Sequence, residues 1–241
     1  MKRLGPPLLL GVIVVLTWSL AATAVGPGIL PGPGRVVSRL ITELGDGLLS
    51  YAGSTFAVSA LGSLLGLVVA IPLGYLVAHF PLASAAISPY LAATQAVPAV
   101  ALAPLLVVWF GYGALPTALL CALMVFFPIA INTTLGFARL DADIVGAARV
   151  DGAGRWQLLT WIEMPLALPA ILAGVRNGFV LSVTGAVVGE FVMGGNGLGQ
   201  LLAVYRDRAD TTGMIAVLSA LVVGAVALFG GVRLIERKLQ W

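Results

Sequence analysis

Two charged residues stand in a stretch of sequence that is otherwise apolar. Arg176 lies about ten residues, or ~15 Å, into the run 166–188, and Glu190 follows fourteen residues later. At ~100° per residue the two fall only ~40° apart around a helix axis, with Ser182 and Val183 near the same stripe. Their axial offset of ~21 Å rules out a direct ion pair within one helix. Arginine at the centre of a membrane helix costs about 2.5–3.5 kcal/mol, so it faces a cavity or a partner. The chemistry open to Arg176 is solute binding or gating; an interhelical bond is the competing role. For Glu190, near the end of the run, a structural hydrogen bond stands beside substrate contact. Gln95 and Asn132 are further candidates for lining a pathway, against the alternative that such amides bond across helices. Gly174, Gly178, Gly185 and Gly189 occupy roughly the opposite side as two Gly-x-x-x-Gly pairs, a spacing that lets helices pack backbone to backbone.

Catalysis is poorly provided for. A membrane-embedded enzyme needs convergent acid, base or metal groups near one interface, and this chain has one histidine and one cysteine. Cys121 falls inside an apolar run, so neither a disulfide nor a zinc site is indicated. His79, at the end of a run, reads as an interfacial residue. No catalytic residue and no metal site is predicted. No Gly-x-x-x-x-Gly-Lys-Ser/Thr loop is present, so the chain is not expected to bind ATP. An ATP-independent channel or secondary transporter remains the alternative, although the paired repeats common in secondary transporters are not visible.

The longest polar segment on one side is 138–165. Asp141 can cap a helix and Asp143 sits in its first turn, where acidic charge suits the helix dipole. Gly152 and Gly154 then interrupt it, Arg155–Trp161 can form a second short helix, and Pro165 and Pro169 mark the start of the next span. Ala147 and Ala148 give this protrusion a small-residue surface that a groove can approach closely. An ordinary connecting loop is the competing reading.

The spacing Gly146-Ala147-Ala148, three residues, Gly152, nine residues, Ile162-Glu163-Met164-Pro165 resembles the signature loop of ATP-binding-cassette importer permeases. That family's pattern is Glu-Ala-Ala, three residues, Gly, nine residues, Ile-x-Leu-Pro. Here Gly146 replaces the usual Glu and Met164 the usual Leu; the second change is nearly volume-neutral. Further elements follow in the family's order: Ile29–Pro33, Ala96–Pro98 with Ala103–Leu105 and Trp109–Gly113, Phe126–Pro128 with Asn132-Thr133, Gly189–Phe191, and Gly197–Gly199. They resemble the branch that imports nitrate, sulfonates such as taurine, and vitamin precursors, and Gly185–Phe191 looks closest to pyrimidine-precursor or riboflavin permeases.

The resemblance implies a type I importer permease in a bacterial inner membrane, non-catalytic, working by alternating access. It would pair with a second copy of itself, favoured over a relative. Partner ATPase subunits would carry the ATP and magnesium, with no cofactor on this chain, and an extracytoplasmic binding protein would deliver the substrate. Asp141, Ala147, Ala148, Gly152, Arg155 and Pro165 would couple to the ATPase. In the family the third and fifth spans border the translocation route, which agrees with a pathway through Gln95, Asn132, Arg176, Ser182 and Glu190.

The elements that position these residues follow from composition. Of 241 residues, 60% are hydrophobic and 10% charged, against about 25% charged in a soluble domain. A ~30 Å hydrocarbon core takes about 20 helical residues, and six runs qualify: 8–25, 56–77, 89–110, 114–137, 166–188 and 214–232. Strict alternation is absent, which argues against a barrel. The fold class is all-α, a single permease domain over 1–241. Lys2, Arg3 and Ala22-Thr23-Ala24 give the first run some likeness to a cleavable signal peptide; its length favours a retained helix. With both termini in the cytoplasm, eight Lys and Arg fall inside and four outside, namely Arg35, Arg39, Arg206 and Arg208. The net charge of +3 thus reflects orientation in a lipid bilayer and does not indicate nucleic acid. Outside, 35–49 can form a surface helix, and 194–212 a turn followed by a short helix.

Overall fold

In lipid every backbone N–H and C=O must be satisfied internally, and helices do so within one segment. The computed structural model describes residues 5–94 and 98–239, and no strand occurs among them. Helix α1 (Gly5–Val25) passes through a Gly/Pro turn into the amphipathic α2 (Pro33–Gly45), followed by α3 (Leu48–His79). Then come α4 (Pro81–Thr94), a 3₁₀ turn (Ala99–Leu102), α5 (Ala103–Phe110) and α6 (Ala114–Ala138). The short α7 (Ala142–Val150) and one-turn α8 (Arg155–Leu158) precede a π turn (Leu159–Glu163) and α9 (Met164–Met193). Last are α10 (Leu198–Asp207) and α11 (Thr211–Leu239).

Among the described residues five stretches are long and apolar enough to cross a bilayer: 8–25, 48–79, 114–138, 155–193 and 211–228. The expected span 89–110 is not one of them. Pro98 is extended at ψ 109°, a 3₁₀ turn follows it, and Pro104 sits in the first turn of α5. Proline lacks the N–H that would bond four residues back and pushes its predecessor out of the α region. An apolar run of spanning length is therefore cut in two. Six uninterrupted spans become five plus this broken segment.

Lipid tails are as apolar as leucine, so membrane helices associate through close packing of small residues. The core is built that way from α3, α6 and α9. Gly62, Gly66, Ala70 and Gly74, four residues apart, form one ridge of α3 buried against α6. A Cβ at Gly62 would lie 2.6 Å from the Ala118 carbonyl oxygen, and at Gly66 2.8 Å from that of Ala122. On the other side of α6, a Cβ at Gly174 would lie 2.9 Å from the Pro128 carbonyl oxygen. Gly178, Gly185 and Gly189 similarly meet Val125, Met124 and Thr117. Two hydroxyls in this core bond across helices: Ser182 donates to the Ser59 carbonyl at 2.7 Å, and Thr134 to that of Gly74 at 3.3 Å, whereas the buried hydroxyls of Ser59, Ser63 and Thr133 have no hydrogen-bond partner among the described residues. By contrast α1 is mostly exposed, pinned to the following turn by Trp18 Nε1–H donating to the Pro31 carbonyl at 3.0 Å.

Candidate coupling and translocation site

One end of the bundle carries the α7–α8 protrusion. Asp141 caps α7 through Oδ1, which accepts the Asp143 N–H at 2.9 Å, while Asp143 and Arg149 occupy the first and last turns. Both charges complement the helix dipole. Gly152 turns the chain at φ +87°, a left-handed conformation that glycine adopts without a Cβ penalty. Gly154 then starts α8, its N–H donating to Gln157 Oε1 at 2.9 Å. The expected second short helix, 155–161, does not stop. It runs through the π turn into α9, giving one helical stretch from Arg155 to Met193. The two prolines account for the turn's position. Pro165 and Pro169 supply no N–H to the carbonyls of Trp161 and Pro165, and the wider turn ends at Glu163, two residues before Pro165.

Of the six expected coupling residues, Asp141, Ala147, Gly152, Arg155 and Pro165 are exposed and Ala148 is half-buried. Ala148, Gly152, Gln157 and Trp161 help line an open hollow of about 410 Å³. The same segment carries exposed side chains the sequence reading passed over: Val150, Trp156 and Trp161 are 88%, 74% and 77% exposed, and Trp161 lines the hollow. Large apolar groups in an otherwise polar loop were the available signal. Beside the loop, His79 is more than an interfacial residue. Its Nε2 lies 3.1 Å from Glu163 Oε2 and its Nδ1 3.1 Å from the Tyr75 carbonyl. The rings of Tyr75 and Phe137 pack on it.

The polar stripe of α9 divides along its length. Arg176 is half-buried. Ser182 and Glu190, expected on the pathway, are buried against α3: Ser182 donates to the Ser59 carbonyl and Glu190 accepts from the Thr55 hydroxyl. Glu190 is 2% exposed. Its Oε2 accepts from the Thr55 hydroxyl at 2.8 Å and from the Gly199 N–H at 2.9 Å. Thr55 in turn accepts the Leu198 N–H at 2.8 Å. The carboxylate thus anchors the N-terminus of α10, where the dipole favours negative charge, and Gly197 leaves it room that a Cβ would take. Asn132 bonds within its own helix, Nδ2 donating to the Pro128 carbonyl at 2.7 Å, with Gly174 packed on its Cβ. Gln95 lies outside the described residues.

The opposite end is capped by α2 and α10. The Arg39 guanidinium lies 3.0 Å from Glu43 and 3.1 Å from Asp210, and the Tyr205 hydroxyl donates to Glu43. Burial, reinforced by that bond to Glu43, pushes the Tyr205 phenol up to about 12. Asp210 Oδ1 also accepts the Gly213 N–H at 2.9 Å in the first turn of α11. One ionic cluster therefore ties α2 to α10 and α11.

A core of helices locked by glycine contacts, with a paired-helix protrusion at one end and a helical cap at the other, defines a polytopic membrane transport subunit. Residues 70–241 match the binding-protein-dependent transport system inner membrane component family, and the chain belongs to it. It is 41% identical to the riboflavin transport system permease protein RibX of Chloroflexus aurantiacus, covering 99% of this chain and 90% of that one. It is 31% identical to the formylaminopyrimidine transport permease protein ThiX of Halalkalibacterium halodurans, covering 97% and 94%. The putative aliphatic sulfonates transport permease protein SsuC of Bacillus subtilis is 30% identical over all of this chain and 89% of its own. In fold, the chain resembles the inward-facing MetNI methionine ABC transporter, with a TM-score of 0.70, 21% identity, and 80% of this chain and 95% of that one covered. The protein is thus a multi-pass inner-membrane permease subunit of an ATP-binding-cassette importer, a class that works with an ATPase and a substrate-binding protein.

Proposed function

We propose that this chain imports riboflavin or a chemically related heteroaromatic vitamin precursor, as one half of a homodimeric pore. Both termini and the α7–α8 protrusion face the cytoplasm, and α2 and α10 face outside. The observation that carries the ATP-coupled part is the protrusion itself, with Val150, Trp156 and Trp161 exposed, Trp161 lining a hollow, and the segment from Arg155 onward continuous with α9. An ATPase cleft that covers those side chains removes apolar area from water, worth about 25 cal/mol per Å². Asp141, Ala147, Ala148, Gly152, Arg155 and Pro165 form or support the docking surface. ATP and magnesium stay on the ATPase, and this chain contributes neither a catalytic group nor a cofactor site.

The similarity to RibX over nearly the whole chain supports the substrate class. Arg176 is the charged group proposed to face the route, with Asn132 on the facing helix α6 and Gln95 as further candidates. Ser182 and Glu190 hold α9 to α3 and α10 and keep that route in shape. When the ATPases close, the protrusions of the two copies approach and the cavity opens outward; hydrolysis resets it. Mass spectrometry of the molecule that co-purifies with the partner binding protein tests the substrate, and a cargo without a fused or pyrimidine-type ring overturns it. Uptake into vesicles that persists without ATP and without ATPase overturns the coupling.

A further inference from the structure

The lone histidine of the chain joins two elements that α9 alone does not connect. Glu163 is the last residue of the π turn and only 4% exposed, a carboxylate out of water at the point where the protrusion becomes a span. A buried carboxylate needs a partner, and among the described residues Glu163 has His79, in the last turn of α3. The proton count of this contact is constrained. A carbonyl can only accept, so the 3.1 Å contact to the Tyr75 carbonyl places a hydrogen on Nδ1. A neutral ring in that tautomer presents a bare lone pair at Nε2, which repels an ionised carboxylate. The 3.1 Å contact from Nε2 to Glu163 therefore needs one more proton, either on Nε2 or on Glu163.

We infer that His79 and Glu163 are a positioning pair, a latch holding one shared proton that fastens the end of α3 to the coupling segment. The inference rests on the importer reading given above. Motion of the protrusion then reaches α3 directly and not only through α9. Other groups around the latch are few: Tyr75 on α3, Arg155 at the start of the coupling segment, which acts on Tyr75 electrostatically together with Glu163, and from α6 the ring of Phe137. In a Glu163→Gln variant the side-chain amide would donate to Nε2 of the neutral ring and hold the contact without that proton.

The test uses the complete complex in lipid nanodiscs, with ATP hydrolysis measured with and without the binding protein carrying its native cargo. Glu163→Gln should assemble with the ATPase and keep the stimulation. Glu163→Ala should assemble with the ATPase yet lose about tenfold in stimulation, the scale of one charge-assisted hydrogen bond. A Glu163→Gln complex that loses stimulation as Glu163→Ala does, or full stimulation in Glu163→Ala, overturns the inference. If Glu163→Ala fails to assemble, the stimulation of Glu163→Gln alone decides. A wild-type complex that the binding protein does not stimulate at all refutes the importer reading instead.

Discussion

The α6–α9 contact offers the sharpest test of how this fold is held together. Replacing Gly174 by alanine adds one methyl group, and its carbon would lie 2.7 Å from Asn132 Cβ, 2.9 Å from the Pro128 carbonyl oxygen and 3.2 Å from Ile129 Cα. Two of these three neighbours are backbone atoms of α6 that cannot rotate aside. The helices must separate by several tenths of an ångström, loosening the contacts at Gly178 and Gly185 above. Overpacking of this kind costs about 1–3 kcal/mol. Gly146→Ala is the matched control: a Cβ there meets nothing within 4 Å, and in helix α7 it should gain up to about 1 kcal/mol of propensity. Reversible unfolding in mixed micelles, with both variants measured against the parent, reads the difference. Equal stability of Gly174→Ala and Gly146→Ala would refute the claim that α6 and α9 meet backbone to backbone.

Three further outcomes follow from the sites at the two ends. Ala148→Glu places a charge in the hollow beside Gly152 and Trp161; membrane insertion should be normal and co-purification with the ATPase lost. Glu190→Ala strands the Gly199 N–H, at about 1–3 kcal/mol for a buried group left unpaired, while the Thr55 hydroxyl can fall back on the Tyr51 carbonyl; limited proteolysis should then cut between Gly194 and Leu198 faster than in the parent. Tyr205 titrates at 10.0 when free and at about 12 in the fold, so its contribution is whole below pH 10 and lost as pH rises through about 12. Ultraviolet difference titration should show one late tyrosinate that Tyr205→Phe removes.

Most helices and the shape of the loop 138–165 were legible in the sequence because they rest on local chemistry. Five of the six apolar runs correspond to spans, Asp141 caps α7 from its own side chain, and Gly152 turns the chain through its own backbone. Where one proline-rich run had to be read as helix or break, run length alone misled, since the extended Pro98 acts on geometry and not on hydropathy. The α3 ridge of Gly62, Gly66, Ala70 and Gly74 was equally visible as a four-residue repeat and went unread beside that of α9. Side-chain partnerships were beyond reach. Glu190 to Thr55 spans 135 positions and His79 to Glu163 spans 84, and nothing in either neighbourhood names the other. The α9 stripe illustrates the limit: angular position on a helix says which residues share a face, while the neighbouring helix decides whether that face is wet.

The unbroken run from Arg155 to Met193 has a mechanical meaning. Its 39 residues extend about 58 Å, nearly twice the ~30 Å of hydrocarbon they cross. The fulcrum of such a lever is the band of glycine contacts with α6 from Gly174 to Gly189, about 40 Å from the Arg155 tip and about 17 Å from the Met193 tip. A rock of about 10° around it would carry the Arg155 tip roughly 7 Å and the Met193 tip roughly 3 Å, in opposite directions. The tip that an ATPase pushes and the tip that carries Glu190 and the α10 anchor would then move in antiphase, so that pulling one side closed swings the other side open.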